Sequence, residues 1–257
     1  IALVLNRLMG SSINAAYGIG FQVAGYTNFL AQSLVNSITP QIVKAEASKD
    51  RKRALWLSNL TSKFIFYLLS ILCVPCMFEI NTILTLWLGK VPQYTSSFCI
   101  MVMLTLLADS ISIGLTYINQ AIGNIKWYSI FMYTPKLLTL PLFYICLKIS
   151  GDLKFAAGIY ISIELFCSIL RIPFLKKTAG LDVKEFCRQV VFGEVITIMI
   201  LVGSCILVSA LLPSSIIRLI VSFSLPNVLF LASIWFWGLD NHEREIIKSM
   251  VIKLCKR

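Results

Sequence analysis

Asn28, Gln32 and Asn36 recur every four residues inside a stretch, Ala15 to Val43, that carries no charged side chain. At about 100° per residue on a helix, three such positions stay within an arc of roughly 80°. Gln22 adds a fourth amide about 120° round from Asn28, and Gly20, Ala24 and Gly25 keep the turns between them small. Unpaired amides are costly in hydrocarbon, so the arc must meet other helices or a wet cavity. A membrane-crossing helix with such a strip points to transport. Four ionisable residues also fall inside apolar runs: Arg7, Asp109, Lys136 and Glu164. Charge deep in a membrane is expensive and functional by default. The two cations suit an anionic ligand, and either acid could carry a coupling proton. Two plainer readings stay open. Lys136 could pair with Asp109 or Glu164 as a structural bridge, and Arg7 could snorkel to an interface. Glu194 and Arg218 lie close to span ends and read as reaching back to an interface.

The elements that must position these residues are apolar helices. The 257 residues are 58% hydrophobic and 14% charged, with a mean hydropathy of +0.83. Soluble domains have about 45–50% apolar and about 25% charged residues, so the chain reads as an all-α, polytopic integral membrane helix bundle. Apolar runs between charged or turn-rich breaks give one partial span, 1–9, and about seven full ones. These are 14–43, 64–80, 97–120, 127–147, 155–170, 190–212 and 216–238. Pro75 should kink 64–80, and Pro135 and Pro141 flank Lys136 in 127–147. The partial span reads as the end of a helix whose beginning is missing, which makes the chain a C-terminal part of a longer protein.

The net charge of +11 does not imply nucleic acid, because of where the cations sit. With the loop after 14–43 taken as cytoplasmic, seventeen Lys and Arg fall on that side and three on the other. That bias sets an orientation with a cytoplasmic C-terminus. The inside segments in this count are 44–63, 121–126, 171–189 and 239–257. In the last, Ile246, Ile247, Met250, Val251 and Leu254 share one helical face, which reads as an amphipathic helix on an anionic leaflet.

Enzymatic chemistry finds little to work with. The only histidine, His242, lies in the tail, and the acids and bases that catalysis needs are not gathered anywhere. The eight cysteines show no metal spacing, and Cys73-Val-Pro-Cys76 lies inside a span without the soluble setting of a redox motif. No cofactor or metal is expected.

Three pieces carry a family resemblance. The first is Asn14-Ala15-Ala16-Tyr17-Gly18-Ile19 with Gln22-Val23, followed by Thr39-Pro40-Gln41-Ile42-Val43-Lys44 and Lys49-Asp50. The second is Leu86-Trp87-Leu88-Gly89 with Val91-Pro92-Gln93-Tyr94-Thr95, and the third Gly123-Asn124-Ile125-Lys126 with Tyr128. In this order they resemble bacterial polysaccharide flippases, the O-antigen and capsule exporters of the multidrug/oligosaccharidyl-lipid/polysaccharide superfamily. The resemblance implies two six-helix lobes around a central cavity. Residues 1–176 would be the C-terminal lobe with its first helix truncated, 177–189 a cytoplasmic linker, and 190–238 two additional helices before the 239–257 tail. It implies a cytoplasmic (inner) membrane protein that turns an undecaprenyl-pyrophosphate-linked oligosaccharide to the outer leaflet by alternating access. Membrane lipids and other polysaccharide-assembly proteins are the further partners. On that basis Arg7 and Lys136 would meet the pyrophosphate, Gln22, Asn28, Gln32 and Asn36 the sugar hydroxyls, and Asp109 or Glu164 the coupling ion. The rival functions are a drug or cation antiporter of the same superfamily, and a membrane glycan polymerase or acyltransferase.

Overall fold

A backbone in hydrocarbon must satisfy its own hydrogen bonds, and the helix does so within one segment. In a computed structural model of the chain, which describes residues 1–245 and 248, the architecture is helical, with no strand among the described residues. The elements are α1 (Ala2–Met9), α2 (Ser11–Ala47), α3 (Arg51–Phe78), α4 (Ile80–Leu88), α5 (Thr95–Ser110) and α6 (Ile113–Ile122). They continue with α7 (Ile125–Leu137), α8 (Thr139–Ser150), α9 (Leu153–Ala179), α10 (Val183–Phe186), α11 (Phe192–Leu211) and α12 (Ile216–Ser233). π-helical turns at Cys187–Val191 and Ile234–Gly238 join α10 to α11 and close α12.

Five helices are long and apolar enough to cross a membrane: Arg51–Phe78, Ile125–Ser150, Leu153–Ala179, Val183–Leu211 and Ile216–Gly238. The pair α5–α6, bent by 50°, makes six if it counts as one span. These apolar helices mark a multi-pass membrane protein. The remaining expected span is α2. It has 37 residues, about 56 Å at the helical rise, yet its amides and hydroxyls hold it below the hydropathy of the other five.

Two expected loops turn out to be helix. The 44–63 segment is broken only at Ser48–Asp50, where Lys49 adopts φ 61° and the Asp50 carboxylate caps α3 by accepting from the Arg53 N–H at 3.1 Å. The linker expected over 177–189 shrinks to Gly180–Asp182. Gly180 (φ 72°) ends α9, and Asp182 caps α10 by accepting from the N–H groups of Lys184 and Glu185. In both places charged residues at a helix end read as loop. The expected amphipathic tail rests on Ile246, Ile247, Met250, Val251 and Leu254, which lie outside the described residues.

The bundle is built on α3, whose apolar window is 61% buried against 22–33% for the other four. One stretch of α3 is small and hydroxylic: Ser58, Thr61 and Ser62 are buried. There α6 comes so close that the Gly114 N–H donates to Ser62 Oγ at 2.9 Å. Further along the helix the same face turns bulky, with Ile65, Phe66, Leu69 and Cys73 joining Leu201, Cys205 and Phe230 in the largest apolar cluster. Polar contacts pin α12 to the same helix. Arg218 Nη2 donates to Glu79 Oε2 at 3.0 Å, Ser222 Oγ to Glu79 Oε1 at 3.0 Å, and Asn227 Nδ2 to the Ile71 carbonyl at 3.2 Å. Arg218 therefore turns inward to a buried acid rather than to an interface.

A Cβ at position 114 would stand 1.9 Å from the Ser58 carbonyl oxygen, so Gly114→Ala must force α3 and α6 apart. We expect a loss of about 1–3 kcal/mol, the usual cost of overpacking, in unfolding measured in lipid nanodiscs. Gly25→Ala, with nothing within 4 Å of the added methyl, should stay within about 0.5 kcal/mol of the native chain.

Candidate functional site

The amide strip of α2 lies at the edge of the helix's packed face. Gln22, Asn28, Gln32 and Asn36 are all exposed, while Ala31, Val35 and Ile42 on the adjoining face are buried. Gln32 Nε2 donates to Asn36 Oδ1 at 3.0 Å, so the two amides brace one another and keep Asn36 Nδ2 and Gln32 Oε1 for other partners. Both line a groove of about 680 Å³ with Thr39 and Lys44 of α2 and Tyr117 and Gln120 of α6. Thr39 Oγ1 is buried there without a hydrogen-bond partner. Lys44 also borders an adjoining cup of about 260 Å³ with Gln41, Ser48 and Arg53. The groove can therefore offer a ligand amides, an aromatic ring and, at one end, positive charge.

The ionisable residues form a second assembly. Lys136 Nζ donates to Glu164 Oε2 at 2.7 Å and lies 4.0 Å from Asp109 Oδ1. The same Asp109 oxygen accepts from Arg171 Nη2 at 2.5 Å. Arg171 Nη1 donates to the Asp109 backbone carbonyl at 3.0 Å, one of the last-turn carbonyls that a helix end leaves without a partner. Ser112, at the α5–α6 bend, donates to the Ser168 carbonyl at 2.7 Å and so holds α9 against the break. Two carboxylates and two cations from α5, α7 and α9 thus make a formally neutral set. Arg171 is almost wholly enclosed, whereas Lys136 and Asp109 keep a little over a quarter of their side-chain surface.

The eight residues singled out in the sequence divide three ways. Gln32 and Asn36 line the groove; Asp109, Lys136 and Glu164 join the ion network; Arg7, Gln22 and Asn28 are exposed and belong to neither. Sequence reasoning missed Arg171, which it placed in a cytoplasmic segment. The signal was there: Glu164, Ser168 and Arg171 stand at i, i+4 and i+7, one face of a helix. It also placed Lys63 in a loop and Glu194 at an interface, and both are buried.

Among the described residues, no group of three His, Cys, Asp or Glu side chains is placed to hold a metal ion. Comparison with known proteins gives no match to a family model, to a curated protein or to a solved structure.

Removing one partner of a buried ion pair leaves the other uncompensated. Arg171→Met should cost about 3–5 kcal/mol, and Lys136→Met less because its site is partly open. Combining Lys136→Met with Glu164→Gln should cost less than the two singles added, by about 0.5–3 kcal/mol. Unfolding of the four chains in nanodiscs measures the cycle.

Proposed function

We propose that the chain takes part in moving a lipid-linked oligosaccharide, of the undecaprenyl-pyrophosphate type, across the cytoplasmic membrane for O-antigen or capsule synthesis. The observation that carries this reading is the groove on α2. Its neutral amides suit sugar hydroxyls, because each can donate and accept at once, and the Tyr117 ring offers an apolar face to a pyranose. Lys44 and Arg53 at one end supply the charge for a phosphate. The rest of the sequence reading fits around that groove. The end that carries Lys44 faces the cytoplasm, as does the C-terminus, and the full transporter has two lobes across a cavity. In the resting arrangement Lys136 is held by Glu164, so its contact with pyrophosphate requires the network to rearrange. Asp109 or Glu164 is then free to take a coupling ion, and Arg7 meets the anion at the opposite end.

Gln32→Ala, Asn36→Ala and Tyr117→Ala should each weaken binding of undecaprenyl-pyrophosphate oligosaccharide to the purified chain in nanodiscs. The expected change is about 2–10-fold, the worth of one or two hydrogen bonds. Asn28→Ala, outside the groove, should change it less. An organic cation that bound more tightly than the glycolipid, and was displaced by the same substitutions, would turn the reading to a drug or cation antiporter.

A further inference from the structure

Glu194 sits in the first turn of α11. It is 1% exposed, and neither carboxyl oxygen has a hydrogen-bond partner among the described residues. Three elements enclose it. Lys63 and Tyr67 face it from α3, and Gly238, Asp240 and Glu243 stand on the segment that follows α12. Thr197 is one turn along α11 itself. The other polar groups already have partners. Lys63 Nζ donates to both Glu243 oxygens, at 2.8 and 2.9 Å. Glu243 Oε2 also accepts the Asp240 N–H at 2.9 Å, Tyr67 Oη donates to the Gly238 carbonyl at 3.3 Å, and Thr197 Oγ1 donates to the Gly193 carbonyl at 2.8 Å. His242, next to Glu243, packs its ring 5.5 Å from that of Trp56, and Arg244 Nη2 donates to the Phe236 carbonyl at 2.9 Å.

The charges of Lys63 and Glu243 cancel, which leaves Glu194 over. Of the three carboxyls among the described residues that are at least nine-tenths enclosed, Glu79 and Glu243 each hold a cation within 3.0 Å, and Glu194 holds none among those residues. An uncompensated buried carboxylate is far costlier than the neutral acid. Both π-helical turns border this place. One ends three residues before Glu194, and the other supplies Gly238. Such turns are frequent at functional sites.

We propose that Glu194 is a proton-binding site, and that its proton decides whether the Asp240–Glu245 segment stays docked on α3 through Lys63. With Glu194 neutral, Lys63 faces the single charge of Glu243 and the segment is held. Only the O–H bond breaks on release, and the proton passes to water. A second carboxylate then stands beside Lys63, the ammonium is shared, and its hold on Glu243 weakens. Docking is complete at low pH and is lost as pH rises through the titration of Glu194. The site is separate from the groove, and the proposal does not depend on what the groove binds.

The test uses the full chain in lipid nanodiscs, with Glu194→Gln as an uncharged mimic of the acid. The native chain should show an infrared carboxylic-acid band at neutral pH that Glu194→Gln lacks, with equal thermal stability in acid. Tryptic cleavage after Arg244 should accelerate several-fold in the native chain as pH is raised, relative to Glu194→Gln, where the segment stays docked. Three results would overturn the proposal. One is no band difference. Another is equal acceleration in both chains, which would assign the effect elsewhere, for instance to His242. The third is a Glu194→Gln chain that fails to fold, because the amide has the size and charge of the neutral acid.

Discussion

A charge inside a bundle of apolar helices can reach neither water nor a lipid headgroup, so its position is set by where an opposite charge can stand. The tight contacts of this chain follow that constraint. Glu79 meets Arg218, Lys63 meets Glu243, and Asp109 and Glu164 meet Arg171 and Lys136. Buried pairs of this kind add little net stability, because desolvation offsets the attraction, but breaking one is costly. Their value here is register. Apolar faces tolerate small slides past one another, whereas an ion pair displaced by one helical turn leaves two charges stranded. Lys63 on α3 and Glu79 at its C-terminal cap stand sixteen positions apart, roughly 24 Å along the helix axis. They fix the α11–α12 hairpin and the segment after it at both ends.

That explains why α3 is so deeply buried, and why its two halves differ. The turns of Ser58, Thr61 and Ser62 let α6 approach to backbone contact at Gly114, while the turns of Phe66 and Leu69, further along, receive the hairpin. The close approach bears on the charge network as well. To reach α3 in this way, the α5–α6 unit bends by 50° at Ser110–Ser112. The bend falls where α5 leaves the Asp109 carbonyl for Arg171 to satisfy. Bend, guanidinium and carboxylate form one unit, and Ser112 ties it to α9 through Ser168.

Which parts of this were legible in the sequence follows from the range over which each signal acts. The amide strip was readable because four-residue spacing in an uncharged stretch is a local pattern. Lys136, Asp109 and Glu164 were readable because each interrupts an apolar run. Lys63 and Arg171 were not, because each stands at the edge of a run, and hydropathy alone ends a span at its first charge. Both were counted among seventeen cytoplasmic cations; without them fifteen still face three, so the bias survives. The partner of Lys63 lies 180 residues away, and no spacing rule connects them. Glu194 was misread for a related reason: distance from a span end says nothing about which helices close over that end.

The distribution of charge also bears on how a groove of this kind could release what it binds. A lone cation deep in low dielectric would hold an anionic headgroup strongly, since the interaction of unit charges grows as the local dielectric falls. Passage needs binding favourable enough to admit a ligand and weak enough to let it leave. Here the deep charges are matched among themselves, and the groove's own cation, Lys44, stands toward the end of α2 near Arg53. Between them the strip offers amides, each worth only about 0.5–1.5 kcal/mol per hydrogen bond and readily exchanged for water. On the proposed reading, attraction acts at the mouth and the path beyond it is hydrogen-bonding but uncharged. A free lysine at the middle of the strip would bind such a ligand better and carry it worse.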